Sequence, residues 1–154
     1  MKFEVYGEIS ADPEYNTFEF MSEGKNGCIP NRITFTPTHW VNVYNLAFGD
    51  ITEEGDVDDY RISDNGDRNK ILTTIVKVVE IYTNKYPERW VYFTGSTDQR
   101  TRLYRIAVSL HLEELVTFFE IFAGVDGQEE FVRFSKGLNI NAFVVKRKFI
   151  KFGT

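Results

Sequence analysis

Apolar and polar residues alternate with a period of two at Lys2-Phe3-Glu4-Val5-Tyr6, at Thr17-Phe18-Glu19-Phe20-Met21-Ser22 and at Arg32-Ile33-Thr34-Phe35-Thr36. This is the pattern of strands that bury one face. Asp12-Pro13 separates the first two runs, Glu23-Gly24-Lys25-Asn26-Gly27 carries the glycines of a hairpin connection, and Pro37 ends the third. A further strand is predicted at Trp40-Val41-Asn42-Val43-Tyr44-Asn45-Leu46-Ala47-Phe48. The first third of the chain thus reads as an antiparallel meander with one packed and one wetter face. Residues 50–67 are polar, acidic and glycine-bearing, which predicts a long loop with a short strand at Tyr60-Arg61-Ile62.

From Asp67 the period changes. Ile71, Ile75, Val78 and Tyr82 recur at steps of three or four, with Leu72, Val76 and Val79 beside them, until Tyr86-Pro87 closes the run. Its β-branched content would suit a strand, but the run is too long for one, so a helix is predicted. Trp90-Val91-Tyr92-Phe93 follows as a buried strand, Gly95 as a turn, and then a second helix. In that helix Leu103, Ile106, Ala107 and Leu110 form the expected inward stripe, Arg102, Arg105 and Ser109 share the outer face, and Arg100 lies at the stripe's edge. Leu112 to Phe122 fits either a short helix or a strand. Gly124-Val125-Asp126-Gly127 turns the chain, and Ile140 to Lys148 is a last strand with a basic end. The expected fold is one α+β domain over residues 1–154: an N-terminal antiparallel β-meander, a long helix, a strand, a second helix and C-terminal strands, in a single sheet packed by helices.

Composition narrows this further. A chain of 154 residues can bury a full core, and the 14 Phe within an aromatic content of 16% point to a sheet-rich interior with bulky fillers. The single cysteine, Cys28, cannot form an internal disulfide, and Met1-Lys2-Phe3-Glu4 lacks the basic and apolar regions of a signal peptide, so a cytoplasmic protein is expected. The apolar run Ile71 to Tyr82 is interrupted by Lys77 and Glu80. No run approaches the roughly 20 residues of a membrane span, and no membrane partner is expected. The net charge of -5 hides an asymmetry: residues 1–67 hold 4 basic and 14 acidic side chains, and residues 68–154 hold 14 basic and 9 acidic. The halves either attract one another within the fold or present a basic face to an anionic partner.

The candidate chemistry centres on Gly95, Ser96, Thr97, Arg100, Arg102 and Arg105. Amide groups at a helix start, small hydroxyls and guanidinium groups would meet there, as in sites that hold phosphate or carboxylate. The structural alternative is a capping box, in which Ser96 and Gln99 satisfy the helix's own amides while Asp98 repels an anion. The partner of Arg100 is then Asp50 or Asp67 within the fold, or an anion from outside. No Gly-Lys-Ser/Thr follows the turn, so this is not a nucleotide phosphate loop, and no cofactor is expected. The acidic run Asp50, Glu53, Glu54, Asp56, Asp58 and Asp59 matches no calcium loop, and no metal is expected. His39 and His111 stand in no triad or metal spacing, and Cys28 reads as a packing residue. Trp40, Trp90 and Tyr104 read as core aromatics that gain interest only if exposed.

Three functions compete. The leading one is a small binding or interaction module without chemistry of its own, its partner a protein or a phosphate-bearing ligand. The alternative is a nucleic-acid or nucleotide-binding protein with Arg89, Arg100, Arg102, Arg105, Lys146, Arg147 and Lys148 as phosphate contacts. The third is a metal-dependent hydrolase or nuclease that combines Asp50 or Asp67 with Arg100. Whether the chain is an enzyme stays open.

Three segments, Tyr44-Asn45-Leu46-Ala47-Phe48-Gly49-Asp50, Ile62-Ser63-Asp64-Asn65-Gly66-Asp67 and Gly95-Ser96-Thr97-Asp98-Gln99-Arg100-Thr101-Arg102-Leu103-Tyr104, resemble the hallmark segments of an uncharacterised family of bacterial proteins. Its members are roughly 150 residues long, the length of one ordinary domain, are found mainly in Bacteroidetes, and resemble nearly the whole chain. The resemblance implies a single bacterial cytoplasmic domain and no particular reaction.

Overall fold

The computed structural model describes residues 4–51, 57–58, 65–95 and 97–148. The strands are β1 (Ser10–Ala11), β2 (Thr17–Gly24), β3 (Gly27–Pro37), β4 (Val43–Ile51), β5 (Val57–Asp58), β6 (Trp90–Phe93), β7 (Phe119–Val125), β8 (Val132–Arg133) and β9 (Ile140–Arg147). The helices are α1 (Arg68–Lys85), α2 (Asp98–Leu110) and α3 (Leu112–Phe118). The nine strands form one mixed sheet in the order β1-β2-β3-β4-β6-β9-β7-β8, with β5 pairing the end of β4. Among the described strands only β4 and β6 run parallel, and α1 is the crossover that a parallel pair requires. The architecture is the predicted α+β sheet packed by helices, and among the described residues no helix is long and apolar enough to cross a membrane.

All three helices lie on one face of the sheet. Leu46, Phe93, Phe119 and Val145 from the strands meet Ile75, Val76 and Val79 of α1, Tyr104, Ala107 and Val108 of α2 and Leu115 of α3. Phe18, Phe20, Ile33 and Phe35 extend this core along α1, and near the end of that helix the Tyr82 ring lies parallel to Phe35 at 3.7 Å. The pleat turns alternate residues to the other face, so Val43, Trp90 and Lys146 line up there in register, followed by Asn45, Tyr92, Val144 and Phe122.

Several expectations need correction. Of the first predicted strand, Lys2 and Phe3 lie outside the described residues, and Glu4 to Tyr6 are not a strand. The Tyr6 amide donates instead to Thr74 Oγ1 on α1 at 3.0 Å, and its ring stacks on Phe20. Trp40 to Asn42 form a loop closed by the Trp40 amide on Thr38 Oγ1 at 3.2 Å, and the strand starts at Val43. The run from Leu112 to Phe122 divides into α3 and the first half of β7. The strand expected at residues 60–62 lies outside the described residues. In α2 the buried stripe is Arg100, Tyr104, Ala107 and Val108, because Tyr104 packs edge-on against Phe93 at 5.4 Å and sets the helix phase. Leu103 and Ile106 flank that stripe, and Leu110 is exposed.

Candidate functional site

The corner after β6 is held together by its own groups. The Gly95 amide donates to Thr101 Oγ1 at 3.1 Å, and Thr101 Oγ1 donates to the Thr97 carbonyl at 3.2 Å. Thr97 is the N-cap, its hydroxyl accepting from the Arg100 amide at 3.1 Å. Ser96 lies outside the described residues. A side chain at Gly95 would place Cβ 2.2 Å from the Thr101 amide nitrogen, so this close approach requires glycine.

The three arginines diverge. Arg100 is 2% exposed, and its Nη1 donates to the Phe48 carbonyl at 3.0 Å with the guanidinium 5.2 Å from the Phe48 ring centre. Arg102 and Arg105, about 60° apart around the helix, point away from it. Arg102 is exposed, and Arg105 lines a groove between α2 and the β8–β9 connection. That groove measures about 370 Å³ and is walled by Ile106, Leu110, Phe134 and Ile140, with Ser109, Ser135 and Lys136 as its other polar groups. Among the described residues no ion pair or side-chain hydrogen bond engages Arg105 or Lys136. Lys136 escaped the sequence reading; its only local signal is the turn Ser135-Lys136-Gly137, in which Gly137 has φ +89°.

The carboxylates weighed as partners of Arg100 occupy different places. Asp67, just before α1, accepts hydrogen bonds from the Tyr6 hydroxyl and, at 2.6 Å, from Ser22 Oγ. Burial first, and then the bond to Asp67, raises the Tyr6 phenol above its ordinary pKa. Asp50 is buried on the helix side of β4, opposite Asn31 of β3. Of the acidic run, Glu53, Glu54, Asp56 and Asp59 lie outside the described residues, among which no cluster of His, Cys, Asp or Glu could hold a metal.

His111 is buried at the α2–α3 junction with Nε2 3.1 Å from Thr73 Oγ1, and burial lowers its pKa against the opposing pull of Glu114. His39 packs against Trp40 in the exposed β3–β4 loop, with ring centres 4.0 Å apart and planes tilted by 35°. Cys28 is exposed rather than packed, because it faces Glu23 at the end of the β2–β3 hairpin where the sheet runs into solvent. Tyr104 is a core residue as expected, Trp90 is half-buried, and Trp40 is 62% exposed.

The seven cations proposed for nucleic acid do not gather. Arg89 is held between the rings of Tyr44 and Tyr86, at 4.0 and 3.6 Å, and donates to the Tyr82 hydroxyl at 2.9 Å. Arg147 donates to the Glu80 carbonyl at 2.9 Å, and Lys148 to the Val116 carbonyl at 2.5 Å. Lys146 stands on the opposite face of the sheet, 5.8 Å from the centre of the Trp90 ring. With Arg100 inside and Arg102 and Arg105 on the outside of α2, these side chains belong to separate surfaces.

The fold is an open α+β sheet, with Arg105 and Lys136 lining a groove beside α2. The chain belongs to the family of unknown function DUF6934, whose model matches residues 2–148. No curated protein and no solved structure matches it.

Proposed function

We propose that this protein is a small binding module, one domain over residues 1–154 in the bacterial cytoplasm, that takes up an anionic group beside α2. The Gly95–Arg105 corner is the foundation of the site, with Gly95, Thr97 and Arg100 positioning the helix and Arg105 meeting the ligand. Ser96 belongs to the same turn, and Arg102 adds positive potential one turn earlier. One observation carries the proposal: Arg105 and Lys136 line the same groove, whose remaining walls are mostly apolar. Two cations over an apolar floor suit a phosphate or carboxylate that carries a hydrophobic portion, and about 370 Å³ is in the range of small-molecule sites.

Titration with aromatic phosphomonoesters and medium-chain carboxylates, followed by calorimetry and thermal unfolding, tests this. Binding should raise the unfolding temperature, and Arg105→Ala or Lys136→Ala should weaken affinity about tenfold or more. Anions that produce no shift, or a shift equally large in Arg105→Ala, would remove the proposal.

A further inference from the structure

We infer that the α2 groove selects the dianion of a phosphomonoester with an apolar substituent, which rests on the anion-binding reading above and narrows its ligand to one class. Arg105 comes from α2 and Lys136 from the β8–β9 connection, so two positive charges from separate elements line one groove. None of the nine residues that line it is acidic. Glu113, Glu114, Glu129 and Glu130, the acids nearest to it along the chain, neither line it nor form an ion pair with either cation among the described residues.

The position of the groove on α2 decides what holds the anion. Arg105 to Leu110 belong to the C-terminal half of the helix, whose end carries partial negative charge and no basic residue in its last turn. Backbone dipoles of α2 therefore work against an anion, and attraction comes from Arg105 and Lys136, with the Ser109 and Ser135 hydroxyls as further donors. A carboxylate carries one charge and matches the planar fork of one guanidinium, which leaves Lys136 over. A phosphomonoester carries close to two charges and three free oxygens, enough to engage the fork and the ammonium together. Its fourth oxygen bears the organic substituent, for which Ile106, Leu110, Phe134 and Ile140 supply an apolar wall. Phe134 is backed by the core residue Phe143, with ring centres 5.9 Å apart, so that part of the wall is formed before a ligand arrives.

Calorimetry on the full chain at about pH 8 compares phenyl phosphate with phenyl sulfate, benzoate and inorganic phosphate. Phenyl phosphate is then a dianion, because the second ionisation of a phosphomonoester lies at about pH 6. Phenyl sulfate has the same tetrahedral shape with one charge. Phenyl phosphate should bind about tenfold or more tightly than each of the others. Lys136→Gln, at an exposed turn position, should remove most of its advantage over phenyl sulfate, and Lys77→Gln on α1 should change nothing. Sulfate or benzoate binding as tightly as phenyl phosphate, with all weakened in Arg105→Ala, would overturn the inference and leave the anion-binding reading standing. The same holds if inorganic phosphate matches phenyl phosphate, or if the preference survives Lys136→Gln. No heat with any probe, or binding indifferent to both Arg105→Ala and Lys136→Gln, would overturn the inference and the reading together.

Discussion

Arg100 on α2 donates from Nη1 to the backbone carbonyl of Phe48 on β4 at 3.0 Å, tying the helix to the centre of the sheet. A guanidinium only 2% exposed cannot greet a ligand arriving from solvent. Its removal would strand a buried carbonyl and leave a space under the helix. Arg100→Ala should lower unfolding free energy by about 2–4 kcal/mol in urea titration. Affinity for anions, measured on the fraction that remains folded, should not change.

The N-cap makes a parallel case. Thr97→Ala removes the acceptor of the Arg100 amide and should cost about 1 kcal/mol of stability. If the corner amides themselves held the anion, this variant would lose binding out of proportion to stability; with the groove as the site, calorimetric affinity stays at the native value.

How far the sequence could be read depended on the kind of constraint. The steps of three and four from Ile71 to Tyr82 match α1 because one broad face of that helix is buried, and β2 and β3 were legible because Phe18, Phe20, Ile33 and Phe35 alternate with polar residues. The division at Phe119 was not, since the apolar run across α3 and β7 contains no breaker. The direction of Arg100 was hidden for a different reason. Helix phase depended on Tyr104 packing against Phe93, a contact between elements, and a shift of one position carried the arginine from the edge of the stripe into the core. The groove was equally hidden, because Arg105 and Lys136 are brought together only by the return of the chain into β9.

The hairpin between β2 and β3 is clamped by Asn65. Its side-chain amide donates to Ser22 Oγ at 3.1 Å and to the Gly27 carbonyl at 3.0 Å, while its Oδ1 accepts from the Asn26 amide at 2.6 Å. Asn65→Ala would leave several of these buried groups unsatisfied and should cost about 2–4 kcal/mol. Gly24→Ala should be at least as damaging, because its Cβ would fall 1.9 Å from the Asn65 carbonyl oxygen. Thermal unfolding monitored by circular dichroism checks both, and a loss below about 0.5 kcal/mol, the range of ordinary surface substitutions, would contradict the clamp.

Buried His111 and half-buried Glu80 give stability opposite dependences on pH. Burial lowers the His111 pKa below 6.5, so as pH falls from that value the unfolded chain takes up the proton first and stability declines. Glu80 behaves in reverse: burial, reinforced by Glu114, raises its pKa above 4.5, so stability declines as pH rises from 4.5 through the raised value. His111→Gln, which keeps a hydrogen-bonding group near Thr73, should flatten the decline below pH 6.5. Glu80→Gln should be more stable than the native chain at neutral pH and lose that advantage in acid. Urea midpoints measured across this pH range decide each case, and an unchanged slope in His111→Gln would show that another group carries the dependence.

The core leaves a void of about 40 Å³ where Val76 and Val79 of α1 meet Ala107 and Val108 of α2, lined entirely by apolar side chains. Such a space offers no partner to a water molecule and forfeits dispersion contacts along its walls. At about 24 cal/mol per Å³ its cost is near 1 kcal/mol. Val76→Ile adds one methyl group without changing β-branching or helix preference, and should raise stability by about 0.5–1 kcal/mol. The measurement is a urea midpoint at unchanged m value. A fall in stability would mean that Tyr104 and Phe93 cannot make way, and that this junction, which sets the phase of α2 and therefore the outward aim of Arg105, is already tightly packed.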